Sequence, residues 1–77
     1  MNVRVFLRTP LHRGRQSAPR TFELNETVVE VVGTAETRDG GLQIAVSTLV
    51  NDRGEEVASP WPTIFLPTAK IDLYVIE

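Results

Sequence analysis

The chain has 77 residues, of which 42% are hydrophobic and 23% are charged, and its formal net charge is −2. This length fits one domain with a thin core, because such a chain buries only about 60% of the surface that it exposes when unfolded. The absence of cysteine excludes disulfides and thiolate metal sites, and a single histidine, His12, excludes a multi-histidine zinc site within one chain. We therefore predict no bound metal and no cofactor, which leaves oligomerisation as the remaining common way to bury more surface.

The N-terminal residues carry no recognisable targeting signal. Residues 1–10, MNVRVFLRTP, are interrupted by arginines and are too short an apolar run for a signal peptide. No segment approaches the roughly 20 apolar residues of a transmembrane helix. We expect a cytoplasmic protein without a membrane partner.

The first part of the chain has the pattern of a strand followed by a basic loop. Val3, Val5 and Leu7 recur with the period of two that a strand with one buried face requires. Residues 9–20, TPLHRGRQSAPR, contain two prolines and a glycine without apolar periodicity, so they are predicted to form a long loop. Residues 20–24, RTFEL, have the composition of a short second strand.

Residues 27–50 are predicted to form a long β-hairpin. The first half is rich in valine, and β-branched residues favour a pleated surface over a helix. Asp39, Gly40 and Gly41 supply the turn signal, since glycine adopts the positive φ angles of tight hairpin turns.

Strict alternation in this hairpin predicts one inward and one outward face for each strand. The inward positions would be Val29, Val31, Ala35, Leu42, Ile44, Val46 and Val50. Val28 and Val32 would face outward, as would Ile76 in the last strand. Gly33 lies in the middle of its strand, where a glycine indicates a bulge, a bend or a close backbone approach.

The remaining residues are predicted to form three short strands. A second turn signal at residues 51–54 precedes a short strand near residues 56–58. The segment SPWP, residues 59–62, is typical of an edge, a bulge or a corner, because proline cannot donate to a strand ladder. Residues 63–67 are predicted to form a strand that Pro67 ends, and residues 69–77, AKIDLYVIE, to form the last strand, with Ile71, Leu73 and Val75 sharing a face.

This order predicts an all-β fold, either a small barrel or a strongly bent antiparallel sheet roll of five to seven short strands. Two segments, VVEVVGTAETRDGGLQIAV and TIFLPTAKIDLYVIE, resemble the small barrels of the Sm-like and Src-homology-3-like type. The resemblance covers about the last two thirds of the chain and implies a bent second strand followed by a late short strand and an apolar final strand. The chain departs from Sm-like proteins at its N-terminus, which has a strand and a basic loop where they generally begin with a helix.

The arginine-rich N-terminal segment is the feature that most suggests a partner. Residues 1–20 contain five arginines and no acid, whereas residues 21–77 contain ten acidic and three basic residues. Arginines in such a segment can neutralise the phosphates of a nucleic acid without base-specific groups. The other interpretation is a segment that is solvated or that lies against acidic residues of its own or a neighbouring chain. The candidate contact residues are Arg4, Arg8, His12, Arg13, Arg15 and Arg20.

The aromatic residues Trp61, Phe65 and Tyr74 allow two interpretations. They could form an exposed patch for a peptide or a base, or they could fill the core and cap an open end of the sheet. We favour the second interpretation, because so small a domain needs its few aromatic side chains inside.

No constellation of residues points to catalysis. Adjacent Glu55 and Glu56 would point to opposite faces of a strand, and Asp39 and Asp52 occupy turns, where aspartate is expected. No serine has the glycine pattern of a nucleophile elbow. We predict that the protein is not an enzyme, with no catalytic residue, and that it is a binding or assembly module acting through a protein partner or self-association. The alternative is nucleic-acid binding of the Sm-like or OB-like kind.

Overall fold

The computed structural model describes residues 1–11 and 27–77, which form one antiparallel sheet of six strands. One turn of 3₁₀-helix, Thr68–Lys70, joins the last two strands, and no α-helix occurs within the described residues. The prediction of an all-β fold is confirmed. In chain order the strands are β1 (Asn2–Leu11), β2 (Val28–Arg38), β3 (Gly41–Asn51), β4 (Glu56–Val57), β5 (Thr63–Pro67) and β6 (Ile71–Ile76).

The sheet is a strongly bent roll. Its strands follow the order β4-β3-β2-β1-β6, and β5 also pairs with β3. Strand β4 pairs with β3 at Leu49 and Val50, whereas β5 pairs with the other end of β3, from Gly41 to Ala45. Among the described residues, β6 pairs with β1 and with no strand on its other side, so the sheet does not close.

The core lies inside the bend of the sheet. Strands β1, β2 and β3 supply most of it, because each is paired along both edges and turns one face inward. Partly buried side chains, among them Leu7, Trp61 and Ile71, pack against this cluster. The buried cluster consists of Val3, Val5, Val28, Val31, Ala35, Leu42, Ile44, Leu49 and Leu66.

The predicted β-hairpin is confirmed as β2 and β3. Gly40 has a φ of 84° in the turn between the two strands, and Gly54 has a φ of 80° in the turn that follows β3. Only glycine adopts such angles without steric cost, which explains both turn signals in the sequence.

Three β-bulges change the predicted alternation of buried residues. Each leaves one residue, Val29, Ser47 or Asp72, without an opposite partner in the ladder. A bulge reverses the alternation between the residues before it and those after it, so Val28, directly before Val29, is fully buried and its predicted outward position is wrong. The same shift buries Leu49 in the core and separates Ile71 from Leu73 and Val75, which the sequence had placed on one face.

Gly33 marks a close approach of two backbones, as its position in the strand predicted. A Cβ atom at this residue would overlap with the carbonyl oxygen of Ala45 on β3. The bulge at Ser47 lies directly beside this contact, since Val32 pairs with Thr48 and Gly33 with Val46. The glycine therefore allows the two strands to stay paired beside the bulge.

The loop predicted at residues 9–20 begins later than expected. Strand β1 continues through Leu11, which pairs with Val28 and packs against the core despite Pro10 beside it. The remainder of that loop and the strand predicted at residues 20–24 lie outside the described residues.

Candidate functional site

Strand β6 is positioned by the 3₁₀ turn that precedes it. The backbone N–H of Thr68 donates to the carbonyl of Gly40 at 2.8 Å, which ties this turn to the β2–β3 hairpin. The Lys70 ammonium donates to the Thr9 hydroxyl at 2.8 Å and to the Pro10 carbonyl at 3.2 Å, which ties it to the end of β1. The chain therefore enters β6 along the outer side of β1, at the end of the sheet.

The register with β1 assigns the side chains of β6 to the two faces of the sheet. Tyr74 and Ile76 lie opposite the core residues Val5 and Val3, so they are on the inward side. Leu73 and Val75 lie opposite Phe6 and Arg4, so they are on the outward side.

Both faces of β6 expose apolar side chains. Leu73 is 52% exposed and Val75 46% on one face, while Tyr74 is 38% and Ile76 68% exposed on the other. The inward residues stay exposed although they lie opposite core residues of β1, the one described strand with which β6 pairs. A run of four residues without a charged side chain is typical of a strand with both faces covered, whereas within the described residues both faces of this run are open.

An ion-pair network borders this apolar strand. Arg4 Nη1 lies 2.9 Å from Glu30 Oε1, and Arg4 Nε lies 3.3 Å from Glu77 Oε2. Hydrogen bonds to Glu30 and then to Glu77 raise the pKa of the Arg4 guanidinium. Arg4 is therefore neutralised by acids of its own chain.

An open groove of about 610 Å³ separates β6 from the tip of the β2–β3 hairpin. Arg8 Nη2 donates to the Ile71 carbonyl at 3.2 Å, and Arg8 has no carboxylate partner among the described residues. Arg38 is held by Glu36, at 2.6 Å from Arg38 Nη2 to Oε1. The groove thus contains two guanidinium groups and one aromatic ring. Its lining includes Arg8, Arg38, Thr68, Asp72 and Tyr74.

The aromatic residues do not form one patch. Trp61 packs against the core, as the favoured interpretation predicted. Phe65 and Tyr74 are 48% and 38% exposed, so that interpretation is wrong for these two residues. Phe65 lies with Trp61 along a second, apolar groove of about 330 Å³, whereas Tyr74 lines the open groove.

The SPWP segment holds Trp61 in place through local hydrogen bonds. The Ser59 hydroxyl donates to the Trp61 carbonyl at 2.6 Å and accepts from the Trp61 backbone N–H at 3.0 Å. The Val46 N–H donates to the Pro62 carbonyl at 2.9 Å, so this segment forms a corner against β3.

The six candidate contact residues fall into two groups, those on β1 and those outside the described residues. Arg4 and Arg8 lie on β1, where Arg4 is ion-paired and Arg8 reaches the open groove. The other four, His12, Arg13, Arg15 and Arg20, lie outside the described residues.

Sequence reasoning identified only part of the exposed strand. It predicted Ile76 to be exposed on the outward face, whereas Ile76 is exposed on the inward side, and it placed Leu73 and Val75 on a buried face with Ile71. The signal that could have revealed them is the unbroken run LYVI, in which neither face is polar.

The described residues contain neither a candidate metal cluster nor a candidate membrane helix. No three side chains of histidine, aspartate or glutamate lie close enough within residues 1–11 and 27–77 to hold a metal ion. The same residues contain no helix with the length and apolar character needed to cross a membrane.

Comparison with known proteins finds no significant match, whether to a family model, to a curated protein or to a solved structure. The structure itself establishes the class, a small all-β protein with an antiparallel sheet. The closer resemblance to Sm-like or Src-homology-3-like barrels stays a prediction from the sequence.

Proposed function

We propose that this protein is a non-catalytic binding or assembly module that acts through protein–protein association. The observation that carries the proposal is β6, which is an edge strand among the described residues and exposes apolar side chains on both faces. Exposed apolar surface of this kind marks contact sites, and an open strand edge offers unpaired N–H and C=O groups to another chain. The non-catalytic part of the proposal depends on the sequence, which has one histidine and no cysteine.

The pairing of β6 supports a contact by strand addition. In this mode a partner segment extends the sheet, with backbone hydrogen bonds giving affinity and alternate side chains giving specificity. The apolar residues Leu73 and Val75 would meet the partner on one face, and Tyr74 and Ile76 on the other. A run that is apolar on both faces suits a strand whose neighbours cover both sides.

Site-specific photo-crosslinking in cells tests this proposal. A benzoylphenylalanine at Ile76, which is 68% exposed, should crosslink to a protein that mass spectrometry identifies. The matched control carries the same probe at Thr63, an exposed residue of β5 on the other side of the sheet. The identified protein is then purified and its affinity measured for the unmodified chain and for Val75→Lys.

The result expected is a crosslink specific to Ile76 and weaker binding by Val75→Lys. Equal crosslinking at both positions, or none at Ile76, would contradict the proposal. Crosslinking to a second copy of this chain would support it as directly as crosslinking to another protein.

A second candidate function is nucleic-acid binding of the Sm-like or OB-like kind. The observation that favours it is the open groove, where Arg8 lacks a carboxylate partner among the described residues and lies with Arg38 and Tyr74. A guanidinium can bind phosphate and an aromatic ring can stack on a base. The pairing of Arg4 with Glu30 and Glu77 weighs against it, because that charge is already neutralised.

Fluorescence anisotropy with mixed single-stranded RNA and DNA tests this candidate at low and at near-physiological salt. Binding should be saturable, weaken steeply with salt and be lost when Arg13, Arg15 and Arg20 are replaced together by alanine. Arg8→Ala measures the part played by the groove. Anisotropy that does not rise as protein is added at low salt, where electrostatic attraction is strongest, would rule out nucleic-acid binding.

A further inference from the structure

Strand β6 lacks the features with which edge strands usually avoid pairing. Proteins protect an exposed edge with lysines, prolines, inward charges, bulges or a covering segment. The bulge of β6 is confined to its beginning, at Asp72. From Leu73 to Ile76 the strand has no charge and no proline, and no described strand covers its outer edge. This stretch is therefore competent to accept another strand.

The two ends of β6 carry opposite charge. At its beginning two basic groups outnumber one acid: Lys70, which has no carboxylate partner among the described residues, and the Arg8 guanidinium, 3.2 Å from the Ile71 carbonyl, against the exposed carboxylate of Asp72. At its end is the carboxylate of Glu77, whose side chain is 47% exposed although it contacts Arg4. A partner strand that is complementary to β6 must therefore be acidic where β6 is basic, and apolar between its ends.

Strand β6 itself meets this description when its direction is reversed. In an antiparallel pair of two β6 strands with Tyr74 opposite its own copy, Leu73 lies opposite Val75 of the second copy, and Glu77 reaches the beginning of the second strand, where the bulge at Asp72 interrupts the register. Each acidic end then meets the basic beginning of the other strand, twice by symmetry. A parallel pair would instead place like charges together at both ends.

We propose that two copies of this chain associate through antiparallel pairing of their β6 strands around a two-fold axis, an inference that rests on the proposed function. The contact is isologous, because the same surface is used on both chains, and dimers of this symmetry are the commonest oligomers. It joins the two sheets into one and sets Leu73 and Val75 of each chain against one another on the outward face. The open grooves of the two chains then lie on either side of the axis.

Sedimentation equilibrium of the full chain over a wide concentration range tests the dimer. The mass should rise from 8.6 kDa to twice that value as concentration increases. Val75→Lys should raise the dimer dissociation constant by about tenfold or more, since it puts a charge into the apolar centre of the contact. Thr63→Lys, which adds the same charge at an exposed position of β5, should leave the dimer dissociation constant unchanged.

Single cysteine variants test the pairing register, because the chain has no cysteine of its own. Tyr74→Cys places two thiols opposite each other across the axis, at the Cα separation that a disulfide requires. Mild oxidation should convert this variant to a covalent dimer, and Thr63→Cys should stay monomeric under the same conditions. Circular dichroism of each variant confirms that the sheet has formed.

The outcomes separate this inference from the broader proposal. A chain that stays monomeric at all concentrations overturns the dimer, and a photo-crosslink from Ile76 to another protein would then leave the proposed function intact. A dimer that survives Val75→Lys and fails to crosslink at Tyr74→Cys also overturns the inference, because association then uses another surface. A monomer without any Ile76-specific crosslink contradicts both.

Discussion

Strands β3 and β6 have similarly apolar sequences and opposite surroundings. Strand β3 pairs with β2 along one edge and with β4 and β5 along the other, so Leu42, Ile44 and Leu49 are buried. Strand β6 pairs only with β1 among the described residues, and its apolar residues from Leu73 onward are exposed. The apolar content of a strand therefore does not by itself decide how much of its side-chain surface is buried, because the surroundings of the strand differ.

The same residue type in the two strands gives the largest expected difference. Ile44 on β3 is fully buried, and Ile76 on β6 is 68% exposed. Ile44→Ala should lower the free energy of unfolding by about 2–5 kcal/mol, because it removes buried methyl groups and leaves a cavity. Ile76→Ala should change it by no more than about 0.5 kcal/mol.

Equilibrium unfolding in urea measures both changes. The measurements belong at low protein concentration, because association would add a concentration-dependent stabilisation. Similar losses of unfolding free energy in Ile44→Ala and Ile76→Ala would show that β6 is packed as tightly as β3. The contrast in burial between the two strands would then be wrong.

The order of the elements could be predicted from the sequence to a large extent. The hairpin of β2 and β3, its glycine turn, β4, β5 and the final strand all follow from turn residues and apolar alternation. These signals are local, since a glycine with positive φ or a proline restricts the chain wherever it occurs. The resemblance to Sm-like barrels agrees with this order of strands and turns. No comparison with known proteins confirms the family.

The faces of the strands could be predicted only as far as the first bulge. Val29, Ser47 and Asp72 have no opposite partner, and nothing in their residue types distinguishes them from regular strand positions. Because one extra residue reverses the alternation between the two sides of a bulge, Val28, just before one bulge, and Leu73, just after another, were placed on the wrong side. The exposed surface of β6 depends on this register and on the missing neighbour, and both are tertiary properties.

The close backbone approach at Gly33 gives an intermediate expected change in the free energy of unfolding. Gly33→Ala should lower the free energy of unfolding by about 1–3 kcal/mol, because its methyl group would overlap with the Ala45 carbonyl and the backbone must shift. Thr37→Ala, at an exposed position of the same strand, is the control and should stay within about 0.5 kcal/mol. Equal stability of Gly33→Ala and the parent chain would mean that β2 and β3 separate here at little cost.

The turn after β3 shows how the well-paired strand is ended by polar contacts. Asn51 is buried, and its Oδ1 accepts from the backbone N–H groups of Arg53 at 3.0 Å and Glu55 at 2.9 Å. Its Nδ2 donates to Glu55 Oε1 at 3.0 Å, and Arg53 Nε lies 3.0 Å from the same oxygen. The end of β3 is thereby fixed by one amide and one carboxylate.

The carboxylate of Glu55 gives the smallest expected effect, a dependence of stability on pH. Hydrogen bonds from Asn51 and then Arg53, together with the charge of Arg53, lower the pKa of Glu55 in the folded chain. A carboxyl whose pKa is lower when folded stabilises the fold fully above its ordinary pKa, and this contribution is lost as pH falls through the lowered value. Glu55→Gln should therefore lose less stability than the parent chain on acidification across that window.

The difference in unfolding free energy between the two chains isolates Glu55 from the other carboxyl groups. An NMR titration of the Glu55 side-chain carbon should show that the lowered pKa returns toward its ordinary value in Asn51→Ala. Parallel acid profiles of the parent chain and Glu55→Gln would show that the turn holds β3 without help from this charge.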